Sequence, residues 1–351
     1  MRFCAEDYQK KTIVFQIFIW YNDANLNRKD INVKLFKKIR RILAWCLAAV
    51  VMVLIVLNIG VTVWYWDFFK SSQSAFRIPG LTTGFVPQGF AYLSESDTYL
   101  VSGYMKDHSA ARIYIRQEGE ETRFASLKNQ DGTVYDAHAG GVAINGNFVY
   151  LPGKMGVDVF RLADVLAGNA TSIGKLQMQY DTDCVTFHDG YLLVGDFYYA
   201  GVYETPQAHH LTTPVGDENK ALITVYRVDE VGEFGIDPTP VAVLSIRDRV
   251  QGIGITEQGE IVLSTSYGFA NSQLWFYNFD GQRQGELEYE GREVPLYYLD
   301  SQNLSHCVQM PPMSEEVVCK DGKVYVLFES ACTKYLFGNL IRGDRVYAYE
   351  K

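Results

Sequence analysis

Between Arg41 and Asp67 the chain carries no charged residue, and nearly all of Ile42 to Trp66 is apolar. A helix rises about 1.5 Å per residue, so about 20 such residues cross a hydrocarbon core of about 30 Å. The stretch predicts a transmembrane helix over residues 42–66. Basic residues are retained on the cytoplasmic side. The cluster Lys34, Lys37, Lys38, Arg40 and Arg41 therefore holds residues 1–41 inside as a cytoplasmic segment and sends everything after Asp67 out. Trp64, Tyr65 and Trp66 fit the outer aromatic belt of the interface. A cleaved signal peptide has a shorter apolar region, about 7–15 residues, closed by small residues. This stretch is longer and ends in bulky aromatics, which favours an uncleaved signal-anchor in a cell membrane. Thr12 to Tyr21 is also apolar but spans only ten residues. That is too short to cross, so it reads as an interfacial helix or as unstructured chain. Val33, directly before the basic cluster, marks an alternative start.

The anchor divides the charge unevenly. Residues 1–66 hold ten Lys/Arg and four Asp/Glu, which leaves 22 basic and 37 acidic residues from position 67 on, a net charge of −15. So acidic an outer part repels nucleic acid and anionic lipid; cationic or neutral ligands suit it better. Acidity also keeps an exported domain soluble, with no ligand implied.

Beyond the anchor the pattern is all-β, with short alternating apolar and polar runs separated by DG and NG turns. An internal repeat organises it. Five units align: GFAY-LSESD-TYLVSG from Gly89, GVAI-NG-NFVYLPG from Gly141, CVTF-HDG-YLLVGD from Cys184, GIGI-TEQG-EIVLSTS from Gly252 and EVVC-KDG-KVYVLFES from Glu316. A third strand follows each, at Ala111, Val157, Leu222, Ser272 and Asp344, and a fourth is visible in TRFASL from Thr122 and PVAVLSI from Pro240. Four antiparallel strands per unit, repeated around a ring, predict a β-propeller over residues 75–351, joined to the anchor by a linker at 67–74. The chain stops after the third strand of the last unit, so Ala75 to Leu81 is expected to supply the missing outer strand and close the ring. Unit starts are 52, 43, 68 and 64 residues apart, short of two blades each, which favours five blades over six. The 68-residue gap is accounted for by an insertion, Phe197 to Lys220, between the second and third strands of the third unit.

The innermost strands of a propeller surround a channel, and ligands collect at a mouth where loops converge. The residue before each unit is Gln88, Gly140, Asp183, Gln251 and Glu315, polar in four of five. Asp196, Ser266 and Glu329 close second strands, and Tyr104, His138, Tyr198 and Tyr267 lie in the adjoining loops. Together these predict a polar, acidic, aromatic-rimmed pocket for a small molecule; the same groups would equally hold channel water. Asp183, Asp196, Glu315 and Glu329 are the candidate oxygen ligands for a calcium-like cation. His138 is singled out by the two glycines after it, which permit close approach of a ligand. His188, His209, His210 and His306 are scattered, with no zinc spacing, and His209 and His210 fall in the insertion, where exposed positions are expected. No GxSxG elbow or phosphate-binding loop occurs. Four cysteines, Cys184, Cys307, Cys319 and Cys332, face an oxidising space, and one bridge, Cys307 to Cys332, is expected.

The strings PQGFAY from Pro87, HAGGVAI from His138, GDFYYAGVYET from Gly195, VQGIGI from Val250 and FESACTKY from Phe328 resemble a group of membrane-anchored bacterial proteins with a β-propeller ectodomain. The resemblance covers about residues 75–351 and implies the architecture and a bacterial source, but no activity. A looser likeness is to calcium-dependent lactonase and strictosidine-synthase-like propellers. Those have six blades and a Glu/Asn/Asn/Asp metal set, whereas this chain has five units with Gln88, Asp183, Gln251 and Glu315, a departure that argues against carrying hydrolysis over. Two functions stay open: an extracytoplasmic binding or scaffolding module for a small polar ligand, an envelope glycan or a protein, and a metal-assisted hydrolase at the propeller axis. Carboxylates converging on one ion-sized hole would favour the hydrolase; a dispersed, aromatic-lined rim would favour binding.

Overall fold

The computed structural model describes residues 3–335 and 338–351, with side chains described continuously from residue 35 onwards in those ranges. It divides into two compact units, Met1–Ile59 and Gly60–Lys351. The first is helical: a single helix, Phe3–Trp64, runs unbroken through the basic cluster. No boundary falls at residue 42, because Lys and Arg are good helix formers and nothing between them breaks the helix. Its part Leu35–Trp64 is long and apolar enough to cross a membrane, and its most apolar stretch is unburied.

In the second unit, the strands among the described residues group into five radial sheets and one two-stranded ribbon, Leu211–Thr212 with Glu218–Asn219, in the insertion. Blade 1 runs from the axis outwards as Phe85–Leu93, Thr98–Met105, Arg112–Gln117 and Arg123–Lys128, with Asn169–Thr171 added in parallel at its edge. Blade 2 is Ala143–Asn145, Phe148–Gly153, Gly156–Arg161 and Gly174–Gln177. Blade 3 begins at Cys184–His188 and continues through Tyr191–Gly195, Ala221–Val228 and Ile236–Ile246. Blade 4 is Val250–Ile255, Ile261–Thr265, Ser272–Tyr277 and Leu304–Met310. Blade 5 is Ser314–Lys320, Lys323–Phe328, Arg345–Tyr349 and, outermost, Ser72–Arg77. The wide spacing between the last two units is explained by a hairpin, Gly285–Tyr289 and Arg292–Tyr298, which leaves blade 4 and extends the edge of blade 3 in parallel with Ile236–Ile246.

The ring closes as the repeat requires, three residues earlier than Ala75. Ser72 faces Tyr349 and Arg77 faces Arg345. Pro79, which has no amide hydrogen to donate, ends the pairing soon after Ile78 N–H reaches Asp344 O at 3.0 Å. The stretch 67–74 is correspondingly no linker. Trp66–Lys70 forms a helical turn, and Phe68, 0% exposed, is packed inside blade 5. Its ring stacks on Tyr349 at 5.8 Å and meets Tyr347 at 5.9 Å and Phe328 at 6.2 Å edge-on.

Between blades the alternation of the strands buries one apolar layer per interface, such as Tyr150, Val159, Val185, Leu192 and Tyr226 between blades 2 and 3. Truncating Phe68 removes the contact that holds the closing strand. Phe68→Ala is expected to cost about 3–5 kcal/mol of stability, measured by denaturant unfolding of the full chain; a loss below about 1 kcal/mol would mean the segment is not part of the fold.

Candidate functional site at the channel mouth

The polar residues before each repeat reach the axis because the innermost strands are bulged there. In blade 1, Pro87 pairs with Gly103 and Gly89 with Ser102, so Gln88 has no partner. In blade 4, Val250 pairs with Thr265 and Gly252 with Ser264, which frees Gln251. In blade 5, Ser314 pairs with Phe328 and Val317 with Val326, leaving Glu315 and Glu316 opposite Leu327 alone. In blade 3, Asp183 N–H donates to Gly195 O at 2.9 Å although Gly195 already faces Cys184. A bulge puts two residues opposite one and re-aims a side chain that regular alternation would bury between blades.

One residue further in, the repeat columns hold Gly89, Gly141, Cys184, Gly252 and Glu316. The glycines make room for the glutamate. A Cβ on Gly141 would come within 2.8 Å of Glu316 Oε2, and one on Gly252 within 2.9 Å of Oε1. Glu316 is 1% exposed. Its Oε1 accepts the Ile253 N–H at 2.8 Å, while Oε2, against Gly141 of blade 2, has no partner in full hydrogen-bond geometry, the Val185 N–H of blade 3 being the nearby donor.

Above it sit the carboxyls named from the sequence. Burial, and then the proximity of Glu329, Asp183 and Glu316, drive Glu315 well above the usual carboxylate range. Asp183 is pushed from 3.8 to about 7 by burial and by Asp196. Glu329 also rises to about 7 through burial, against the pull of Lys334 and of hydrogen bonds from Tyr335 and Gln88. Gln88 Nε2 donates to Glu329 Oε2 at 2.9 Å and to its neighbour's carbonyl, Pro87 O, at 2.9 Å. His138 stacks on Tyr104 at 4.3 Å. Although part of its surface is exposed, desolvation by the surrounding loops and the nearby Lys334 lower its pKa to about 4, and it is neutral at pH 7. Lys334 Nζ in turn donates to the Tyr104 hydroxyl.

The rest of the expected set lies off the axis. Asp196 is 1% exposed and committed elsewhere: Oδ2 meets His209 Nδ1 at 2.5 Å and Oδ1 accepts the Leu222 N–H at 2.8 Å. His209 is thus buried, contrary to expectation, because the insertion turns back at Pro206 and lays the ring against Asp196 and the edge of Tyr180. Tyr198 belongs to the core between blades 3 and 4. Ser266 is buried, its N–H on Arg249 O at 3.0 Å. Tyr267 stacks on Tyr199 at 3.7 Å and, with Phe197 and Tyr203, forms an aromatic rim.

Among the described residues no three His, Cys, Asp or Glu side chains come together as a metal ion would need. With Asp196 turned to His209, the four carboxyls named for calcium do not form one coordination set. Nor is the Cys307–Cys332 bridge made, since both thiols are free. Cys307 is exposed on the outermost strand of blade 4, whereas Cys332 is buried in the turn after blade 5's second strand. Sequence reasoning missed Glu316, Lys334 and Tyr335. Only Glu316 left a signal, as the one charged residue in a column of Gly and Cys. At the opposite ends of the innermost strands lies a cavity of about 140 Å³, lined by Phe90, Ile144, Phe187 and Val318 together with Thr186 and His188.

No protein-family model and no curated protein matches the chain. Among solved structures it is similar to the PQQ-bound form of aldose sugar dehydrogenase from Streptomyces coelicolor, with 12% identity over 79% of this chain and 97% of that one and a TM-score of 0.44. It is similar also to a protein described as a gluconolactonase, with 14% identity over 80% and 91% of the two chains and a TM-score of 0.37. A third is the WD40 β-propeller domain of Doa1, with 10% identity over 80% and 97% and a TM-score of 0.39. The likeness is a loose one of fold alone.

Asp183 and Glu329 each bind a proton more tightly in the folded chain than in the unfolded one. The stability that this contributes is complete below about pH 4 and is lost as pH rises towards about 7, by about 1.4 kcal/mol for each pKa unit gained on folding. Asp183→Asn and Glu329→Gln are therefore expected to gain stability relative to the parent chain across that window. Thermal unfolding at several pH values tests this; a pH-independent difference would show that the carboxyls are not held in this way.

Proposed function

We propose that the chain is a membrane-anchored, extracytoplasmic binding module whose propeller takes up a small polar ligand, such as a glycan of the cell envelope, at the bulged mouth of its axis. The carrying observation is the three bulges that leave Gln88, Gln251 and Glu315 out of the strand pairing at the same end of their blades. Carboxyls poised near neutrality offer hydroxyl donors as well as acceptors, and a neutral His138 adds a further polar group, a set that matches a polyhydroxylated or amine-bearing ligand. The aromatic rim supplies faces on which such a ligand packs. A metal-assisted hydrolase has less support, since among the described residues no three of the clustered carboxyls are arranged to hold a metal ion.

An uncleaved anchor with its N-terminus in the cytoplasm is part of this reading. Tyr65 and Phe68, directly after the apolar helix, are built into the propeller, and the basic cluster before the helix supports the orientation.

A thermal-shift screen of the full chain against envelope oligosaccharides, amino sugars and small amines tests the proposal. A ligand at 100 times its dissociation constant is expected to stabilise the fold by about 2.7 kcal/mol. Gln88→Ala and Glu315→Gln are expected to abolish the shift while keeping the fold. If a shift survives both substitutions, the ligand binds elsewhere.

A further inference from the structure

Gly60–Trp64, the last residues of the apolar helix, belong to the propeller unit. They are fastened at one place. Arg342 Nη1 donates to Thr62 Oγ1 at 2.8 Å, and Tyr65 OH donates to Asn271 Oδ1 at 2.7 Å. Arg342 lies between the second and third strands of blade 5, as Glu329 does, and Asn271 lies between those of blade 4, as Ser266 and Tyr267 do. In a blade whose strands alternate in direction, these connections emerge on one face of the ring, together with those that lead from one blade into the next. That is the face on which the axis opens with Gln88, Asp183 and Glu315.

The same face carries exposed apolar tips from three blades and from the connection between blades 1 and 2. Val134 is 53% exposed, Met155 50%, Val202 56%, Tyr203 53%, Val215 46% and Phe269 67%. They stand before blade 2, between its second and third strands, in the blade 3 insertion and in the blade 4 loop. Isolated exposed apolar residues need no explanation, but a ring of tips on one face marks an interaction surface. Trp64 and Trp66, 68% and 57% exposed, flank the attachment. Indole rings settle at the headgroup level of a bilayer, so a bilayer that holds the anchor is brought to this face.

We infer that the axis-mouth face of the propeller docks on the lipid surface of the membrane that holds its own anchor, with the tips at Met155, Val202, Tyr203 and Phe269 in the boundary between headgroups and acyl chains. The inference rests on the helix being an uncleaved anchor. Charges on the face are of both signs, with exposed Lys106 and Lys154 beside exposed Asp107 and Asp181. Contact is accordingly made by apolar tips rather than by net attraction to anionic lipid. On the binding-module reading, the ligand of the axis is then drawn from the headgroup layer.

The test uses the full chain in nanodiscs of phosphatidylcholine and phosphatidylglycerol containing a spin-labelled phospholipid. A fluorescent amino acid is introduced at Val202 or Phe269, and for comparison at Val231 or Phe279, which are exposed on the opposite face. Quenching is expected to be several-fold stronger at the first pair and to persist at high salt. Equal quenching at the two pairs, or stronger quenching at Val231 and Phe279, overturns the inference, and loss of the difference at high salt overturns contact through apolar tips. Glu315→Gln is expected to leave the quenching unchanged while removing the thermal shift, so surface docking and ligand binding fail separately.

Discussion

The pairing of Ser72–Arg77 with Arg345–Tyr349 is the contact on which the rest of the second unit depends. A radial array of sheets is stable only when the last blade is complete, because an open blade exposes an apolar face and an unpaired edge. Here one strand completes blade 5 and, through Phe68, ties the end of the apolar helix to the same blade. Closure of the ring and burial of the segment that follows the apolar helix are thus one structural feature.

Closure also sets the character of the axis. With five blades the innermost strands converge tightly, and the columns next to the axis are Gly or Cys except where Glu316 enters. A buried carboxyl with an unpartnered oxygen is costly, and three more acidic groups stand close above it. The chain meets this cost by raising the proton affinity of the carboxyls, by lending Glu329 the Gln88 amide and by placing Lys334 nearby. Such an arrangement opposes stability at neutral pH, as functional sites commonly do. The cavity at the opposite ends of the innermost strands, lined by Phe90, Ile144 and Phe187, carries no comparable burden.

Asp196 shows how an insertion redirects a carboxyl. The segment between the second and third strands of blade 3 folds back so that His209 pairs with Asp196. One acidic group is withdrawn from the axis, and the aromatic residues of the same segment are left to form a rim beside Tyr267.

The apolar helix, the repeat, the number of blades and the insertion were all legible in the order of residues, because each rests on local periodicity: a long uncharged run, alternation with period two, and turns at regular spacing. The residue before each repeat was legible as polar for the same reason. Why those residues reach the axis was not, since a bulge is a relation between two strands and changes no local pattern. The partnership of Asp196 and His209, the separation of Cys307 from Cys332 and the arrival of Lys334 beside Glu329 join segments whose distance is set by the ring. So does the attachment of the helix end to the axis-mouth face through Thr62 and Tyr65. The sequence by itself determined that a membrane-length helix precedes a five-fold β repeat; only the tertiary structure decided which carboxyls share the axis, because that follows from how the ring closes.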